Sequence, residues 1–186
     1  MRLTLVLLLL AAIPAALAAT HLHAALAAPR PHPARTPHRA APPSATAPKS
    51  IGVWDRWQAA THEEGGQLVC YAFTRAAGVT ALPGRGDVVL TVTERPGIRD
   101  AVAISAGYAY SKDAIVDVQV GANKVPFYAA GRSAFARDGR AAVADFQRGR
   151  EVLVHASSPR GEIADTFSLR GFAPAYAAVL KECPAK

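Results

Sequence analysis

No Trp, Tyr or Phe and no Asp or Glu occurs before Ser50 in this chain of 186 residues; the 2 Trp, 5 Tyr and 6 Phe and all 14 Asp and Glu lie after it. Large rings supply most of the area that a small core buries, and Ala, which dominates the early residues, adds little. The first 50 positions therefore cannot build a packed unit or balance Arg2, Arg30, Arg35, Arg39 and Lys49. The foldable part is 50–186. A domain of about 137 residues buries roughly two thirds of its unfolded surface, enough for a core without a structural metal.

Charge divides at the same boundary. The formal net charge of +7 leaves 16 Lys and Arg against 14 acids from position 50 onward once the five leader cations are set aside. Nucleic-acid recognition needs basic groups clustered on a folded face, with aromatics or a reading motif beside them. Here the surplus sits in the leader, so no nucleic acid is expected as a partner.

The leader reads as two segments. Arg2, the apolar run from Leu3 to Ala12 broken only by Thr4, and the small residues Ala16, Leu17 and Ala18 have the build of a secretory signal peptide. This predicts a signal peptide over 1–18, or one cleaved instead near 27. A spanning helix needs about 20 apolar residues; Pro14, Thr20 and His21 cut this run short, so no stable membrane span is expected after cleavage. In 19–49, seven prolines (29, 31, 33, 37, 42, 43 and 48) remove backbone donors and hold extended dihedrals, predicting a disordered Pro/Ala/His-rich spacer. His21, His23, His32 and His38 carry metal-ligating nitrogens without fixed geometry and are read as solvated polarity, so no metal or cofactor is expected. The spacer's arginines suit loose, salt-screened attraction to anionic envelope polymers.

Cys70 and Cys183 are the only cysteines. In an exported chain an even count favours a disulfide, and two residues allow one pairing. Closing so long a loop is worth on the order of 4 to 5 kcal/mol in the chain-entropy model. The alternative is two free thiols, one of them reactive, although no Cys-x-x-Cys spacing lowers a thiol pKa.

Period-two alternation fills the middle of the domain. Val88, Leu90 and Val92 share a face, as do Val116, Val118 and Val120, and a hairpin is predicted over 151–157 and 162–169 with its turn at 158–161. With 52–59, 67–74, 101–110 and 125–128 the pattern predicts about eight strands and a mainly β, antiparallel sandwich or barrel-like domain. Two short helices interrupt it. Asp138 caps one over 139–148, with Val143 and Phe146 inward and Gly149 closing it. The second, C-terminal helix begins near Pro174 and places Tyr176, Val179, Leu180 and Cys183 on one face.

Taken together, Val69-Cys70-Tyr71-Ala72, Glu94-Arg95-Pro96 with Arg99, the strand through Ser105, Gly107 and Tyr108, the run from Asp165 through Gly171-Phe172, and the closing Cys183 resemble the invasion associated locus B family of alphaproteobacteria. The resemblance covers most of 52–183. It implies an exported, disulfide-containing, β-rich protein with no established enzymatic activity, named for its founding members' role in host-cell invasion. The long His/Pro leader departs from simpler members.

Candidate sites follow from the same residues. Ser157, His155 and Asp165 form the best nucleophile, base and acid set. In the predicted hairpin, however, 157 pairs with 162 and 155 with 164, which puts Asp165 on the opposite face from His155. No catalytic residue is assigned. Asp165 shares a face with Ile163, Phe167 and Leu169, where an unpaired carboxylate costs several kcal/mol. Arg95, Arg99 and Arg170 are its expected partners, in a structural ion pair or a ligand site. Arg95 and Arg99 flank an Arg-Pro-Gly turn and suit a bidentate grip on phosphate or carboxylate. Trp54 and Trp57, three apart on one predicted strand, face opposite sides, so one is expected to be partly exposed, a candidate aromatic for a partner or glycan or, as the safer reading, a ring packed against the adjacent tail or helix. Glu63 and Glu64 lack the second carboxylate that a glycosidase pair requires.

The expectation is a periplasmic or secreted, non-catalytic domain that binds an envelope protein, a host protein or an anionic envelope polymer. The alternative is a small periplasmic ligand-binding protein or enzyme that uses Asp165 with nearby arginines. A concave charged pocket favours the alternative, and a flat patch bearing Trp54 or Trp57 favours the first.

Overall fold

The computed structural model describes residues 47–158 and 160–185. The expected signal peptide, nearly all of the spacer and its histidines lie outside the described residues. No helix among the described residues is long and apolar enough to cross a membrane.

The domain is mainly β, with ten antiparallel strands in one sheet. β1 (Lys49–Trp54), β2 (Trp57–Glu64), β3 (Gln67–Arg75), β4 (Val89–Arg95) and β5 (Ile98–Ser105) form a meander. β6 (Val116–Val120), β7 (Asn123–Ala130), β8 (Ser133–Ala136), β9 (Glu151–Ser158) and β10 (Gly161–Ser168) complete the order β1-β2-β3-β4-β5-β8-β7-β6-β9-β10. The halves join where Ala103, Ile104 and Ser105 of β5 face Phe135, Ala134 and Ser133 of β8. Burial alternates along β4, β6 and β10 as the period-two pattern requires.

The expected single strand over 52–59 is two strands. Asp55 adopts a left-handed φ of 53° and turns the chain, so that Trp54 faces Trp57 across a hairpin. Asp tolerates this conformation better than most residues, and an Asp-Arg pair carries a weaker turn signature than Asn-Gly. The four-residue β8 has too few alternations to stand out in the sequence.

The sheet is not closed, yet its last strand does not end on a bare edge. Ala77 and Gly78 donate to the Thr166 carbonyl at 2.7 and 3.3 Å, and the Thr166 amide donates to Gly78 at 2.9 Å. The Thr80 hydroxyl accepts from the Ala164 amide at 2.8 Å. Since β10 ends the strand order while β3 sits third from the other end, these bonds curl the sheet back on itself. The 76–88 segment, which links β3 to β4, acts as a strap along β10 and occupies backbone groups open to strand addition.

α1 (Gly139–Arg148) is capped by Asp138, whose Oδ1 accepts from the Ala141 amide at 2.9 Å, and buries Ala142, Val143 and Phe146. α2 (Phe172–Glu182) starts two residues before Pro174 and buries Phe172, Ala175, Tyr176 and Val179. Phe172 is the hub of the aromatic core. Its ring centroid lies 4.8 Å from Trp57 and 5.6 Å from both Phe146 and Tyr176, which joins the two helices to β2. The Trp57 indole N–H donates to the Ser168 carbonyl at 2.8 Å, fastening β2 to the end of β10.

Entry into α2 depends on Gly171, at φ 86°, where an added Cβ would meet the Trp54 carbonyl oxygen at 2.0 Å. Gly97 has a similar φ of 77° with nothing within 4 Å of such a Cβ. Gly97→Ala is expected to cost about 1–2 kcal/mol in urea unfolding, the left-handed penalty alone. Gly171→Ala adds overpacking of roughly 1–3 kcal/mol. Equal losses would contradict the close approach.

Candidate functional site

Cys70 and Cys183 form a disulfide across 113 residues, with Cα atoms 6.0 Å apart. It ties β3 to the residue that ends α2. The free-thiol alternative is overturned, because no free cysteine remains among the described residues.

A buried polar cluster surrounds that link. Glu94 stands opposite Cys70 in the β3–β4 register and is fully buried. Its Oε1 accepts from the Asp100 amide at 3.0 Å and from the Tyr176 hydroxyl at 3.3 Å; the Arg99 Nε lies 2.6 Å from its Oε2. Tyr176 also reaches Asp100 Oδ1. The Arg99 Nη1 donates to the Cys183 carbonyl at 2.8 Å, so one guanidinium joins the buried acid to the closing cysteine. Burial pushes the Glu94 carboxyl above its ordinary range, against the opposing pull of the Asp100 amide and the Arg99 charge. Burial, then the Asp100 bond and the Glu94 charge, push the Tyr176 hydroxyl upward as well.

Asp165 is 2% exposed, and its partner is Arg85. Arg85 grips it bidentately, Nη1 to Oδ1 at 2.8 Å and Nη2 to Oδ2 at 2.5 Å. The same guanidinium donates to the Ala106 and Thr80 carbonyls at 2.8 and 2.9 Å, and the Thr80 amide donates to Asp165 Oδ1 at 3.3 Å. The three expected arginines are engaged elsewhere: Arg95 with Glu64 at 3.1 Å, Arg99 with Glu94, and Arg170 with Asp55 at 3.3 Å. Arg85 was missed because Pro83-Gly84-Arg85-Gly86 reads as a solvated loop. The only sequence signal for it was the demand for a cation that a core-facing Asp165 makes.

The hairpin register is as read, 157 with 162 and 155 with 164, and His155 is exposed while Asp165 is buried on the other face. The Ser157 hydroxyl donates to Glu162 Oε1 at 2.6 Å, so the three residues of the candidate triad are not brought together. Trp57 is 0% exposed, and Trp54 is partly exposed where it packs against the core, so neither ring stands out as a flat exposed patch. Their hairpin turns both toward α2. The exposed ring is Tyr128, beside Phe135 at 5.6 Å with the Arg137 guanidinium 5.4 Å from its centroid.

Two concave regions bear on ligand binding. A groove of about 680 Å³ runs over the disulfide between Leu68, Arg95, Arg99 and Cys183, where Glu64 and Glu94 already take the arginine charges. A smaller cleft of about 290 Å³ opens between the strap and two hairpin turns, lined in part by Arg85, Tyr108, Arg132 and Arg160.

No family model matches the chain, and no curated protein matches it. Among solved structures it is distantly similar to invasion associated protein B from Bartonella henselae, with 14% identity and a TM-score of 0.49 over 70% of this chain and 95% of that chain.

Removing one partner of a buried pair strands the other charge, so Asp165→Asn is expected to lose about 3–5 kcal/mol in urea unfolding. A loss below about 1 kcal/mol, the range of an exposed pair, would contradict the burial. For Glu94, a folded pKa above the unfolded 4.5 means a contribution complete below the unfolded value and lost as pH rises through the folded one. The stability of wild type minus that of Glu94→Gln is therefore expected to fall as pH rises above about 4.5. A rising difference would reverse the sign of the shift.

Proposed function

We propose that the chain is an exported, non-catalytic binding protein of the envelope or cell surface, related to the invasion associated locus B family. In this reading 1–18 directs export, 19–49 is a spacer, and 50–186 is the working domain. The observation that carries it is the Cys70–Cys183 disulfide. Such bonds persist in oxidising compartments and are rare in cytosolic proteins.

The fate of the reactive groups supports binding over catalysis. Asp165 is taken up by Arg85, Glu94 by Arg99, Asp100 and Tyr176, and both thiols by each other. Each serves to hold elements of the fold together. Within the binding reading, the partner is an envelope or host protein or an anionic polymer. The arginine-lined cleft favours a second version, a periplasmic ligand carrier, with the arginines and not Asp165 as its contacts.

Fractionating cells that express the full chain tests this. The protein is expected in the periplasm or medium without Met1, with no mass change on alkylation before reduction and two added groups after it. Cytoplasmic protein retaining Met1 and two alkylatable thiols would overturn the proposal.

A further inference from the structure

Three guanidiniums from three separate parts of the chain converge on the 290 Å³ cleft: Arg85 from the strap, Arg132 from the β7–β8 turn and Arg160 from the β9–β10 turn. Each is anchored by a backbone carbonyl. Arg85 Nε holds Ala106, Arg132 Nη2 holds Gly107 at 2.8 Å, and Arg160 Nη1 holds Pro83. A planar guanidinium fixed at one donor keeps its remaining donors aimed, which reduces the ordering cost of gripping a second acceptor.

Their charges are unevenly matched. Arg85 is neutralised by Asp165, whereas neither Arg132 nor Arg160 makes an ion pair among the described residues. Glu162, the other carboxylate whose charge reaches the cleft-lining Tyr108, is already held by Ser157. Three cations thus face two engaged carboxylates. The walls leave room for an occupant, since an added Cβ on Gly84 would come no nearer than 4.0 Å to Arg160. The Tyr108 ring lies 5.4 Å from the Arg85 guanidinium carbon and 5.0 Å from the Tyr110 ring, an aromatic wall for the cleft.

We infer that this cleft is a binding site for a small organic oxyanion, a carboxylate or phosphate monoester carried on a body no larger than a sugar, with Arg132 and Arg160 as its principal contacts. The volume lies at the low end for ligand pockets, which suits a body the size of a sugar acid or sugar phosphate. Arginine's fork suits both oxyanions bidentately. The inference rests on the binding reading above and names the ligand chemistry for it.

The test is an NMR titration of the full chain with inorganic phosphate and, separately, with glucuronate. Saturable shifts are expected at the amides of Gly84, Gly107, Arg132 and Arg160. The affinity is expected to weaken at least about tenfold in Arg132→Gln/Arg160→Gln, the worth of one charge-assisted hydrogen bond. A response to phosphate alone assigns a phosphate ester, and one to glucuronate alone a carboxylate; either supports the site. No saturable shift with either anion, shifts spread over outlying arginines such as Arg75, Arg140 and Arg148, or undiminished affinity in the double variant overturns it. The wild-type shift map decides the matter if the double variant does not fold. Exported protein that ignores both anions would sink the cleft and leave the binding reading standing. Cytoplasmic protein that binds phosphate would do the reverse.

Discussion

The Arg85–Asp165 pair is the constraint on which the closure of this domain depends. A bidentate guanidinium–carboxylate contact with both side chains at most 5% exposed is strong once made and costly to leave half-made. It pins the middle of an otherwise irregular strap to β10. The strap can then meet Thr166 and Ala164 with backbone and hydroxyl bonds, and the sheet curls without an eleventh strand. The same guanidinium lines the arginine-bearing cleft, so the groups that curl the sheet also shape that cleft.

The residues that carry the family resemblance have a structural logic. Cys70 and Cys183 are bonded to each other, Glu94 lies opposite Cys70, Arg99 bridges Glu94 to the Cys183 carbonyl, and Gly171 admits the start of α2 beneath the Trp54 carbonyl. The motif is a set of fastenings for the last helix. Fastenings of this kind fix the fold and by themselves specify no ligand.

Much of this was legible in the sequence for local reasons. The β9–β10 register, the Asp138 cap and the buried stripe of α2 each follow from periodicity and capping within about ten residues. The disulfide was legible for the opposite reason, since two cysteines leave nothing to choose. Pairings between distant segments were hidden. Nothing in Gly84-Arg85-Gly86 separates a solvated arginine from one that meets an aspartate 80 positions away. Arg132 and Arg160 look like ordinary turn residues until the curl brings their turns together. The strand expected over 52–59 was misread because one turn at Asp55 converts opposite faces of a strand into facing members of a hairpin.

The covalent ring has a further consequence for proteolysis. Strands β4 to β10 and both helices lie between the two bonded sulfurs. A protease that clips the exposed strap, for example at Ala77 or Val79, severs the backbone inside that ring, and the fragments stay joined through sulfur. One nick therefore cannot shed the last helix or the strands before it. Such a chain tolerates the surroundings it is proposed to work in, where damaged backbone is not replaced.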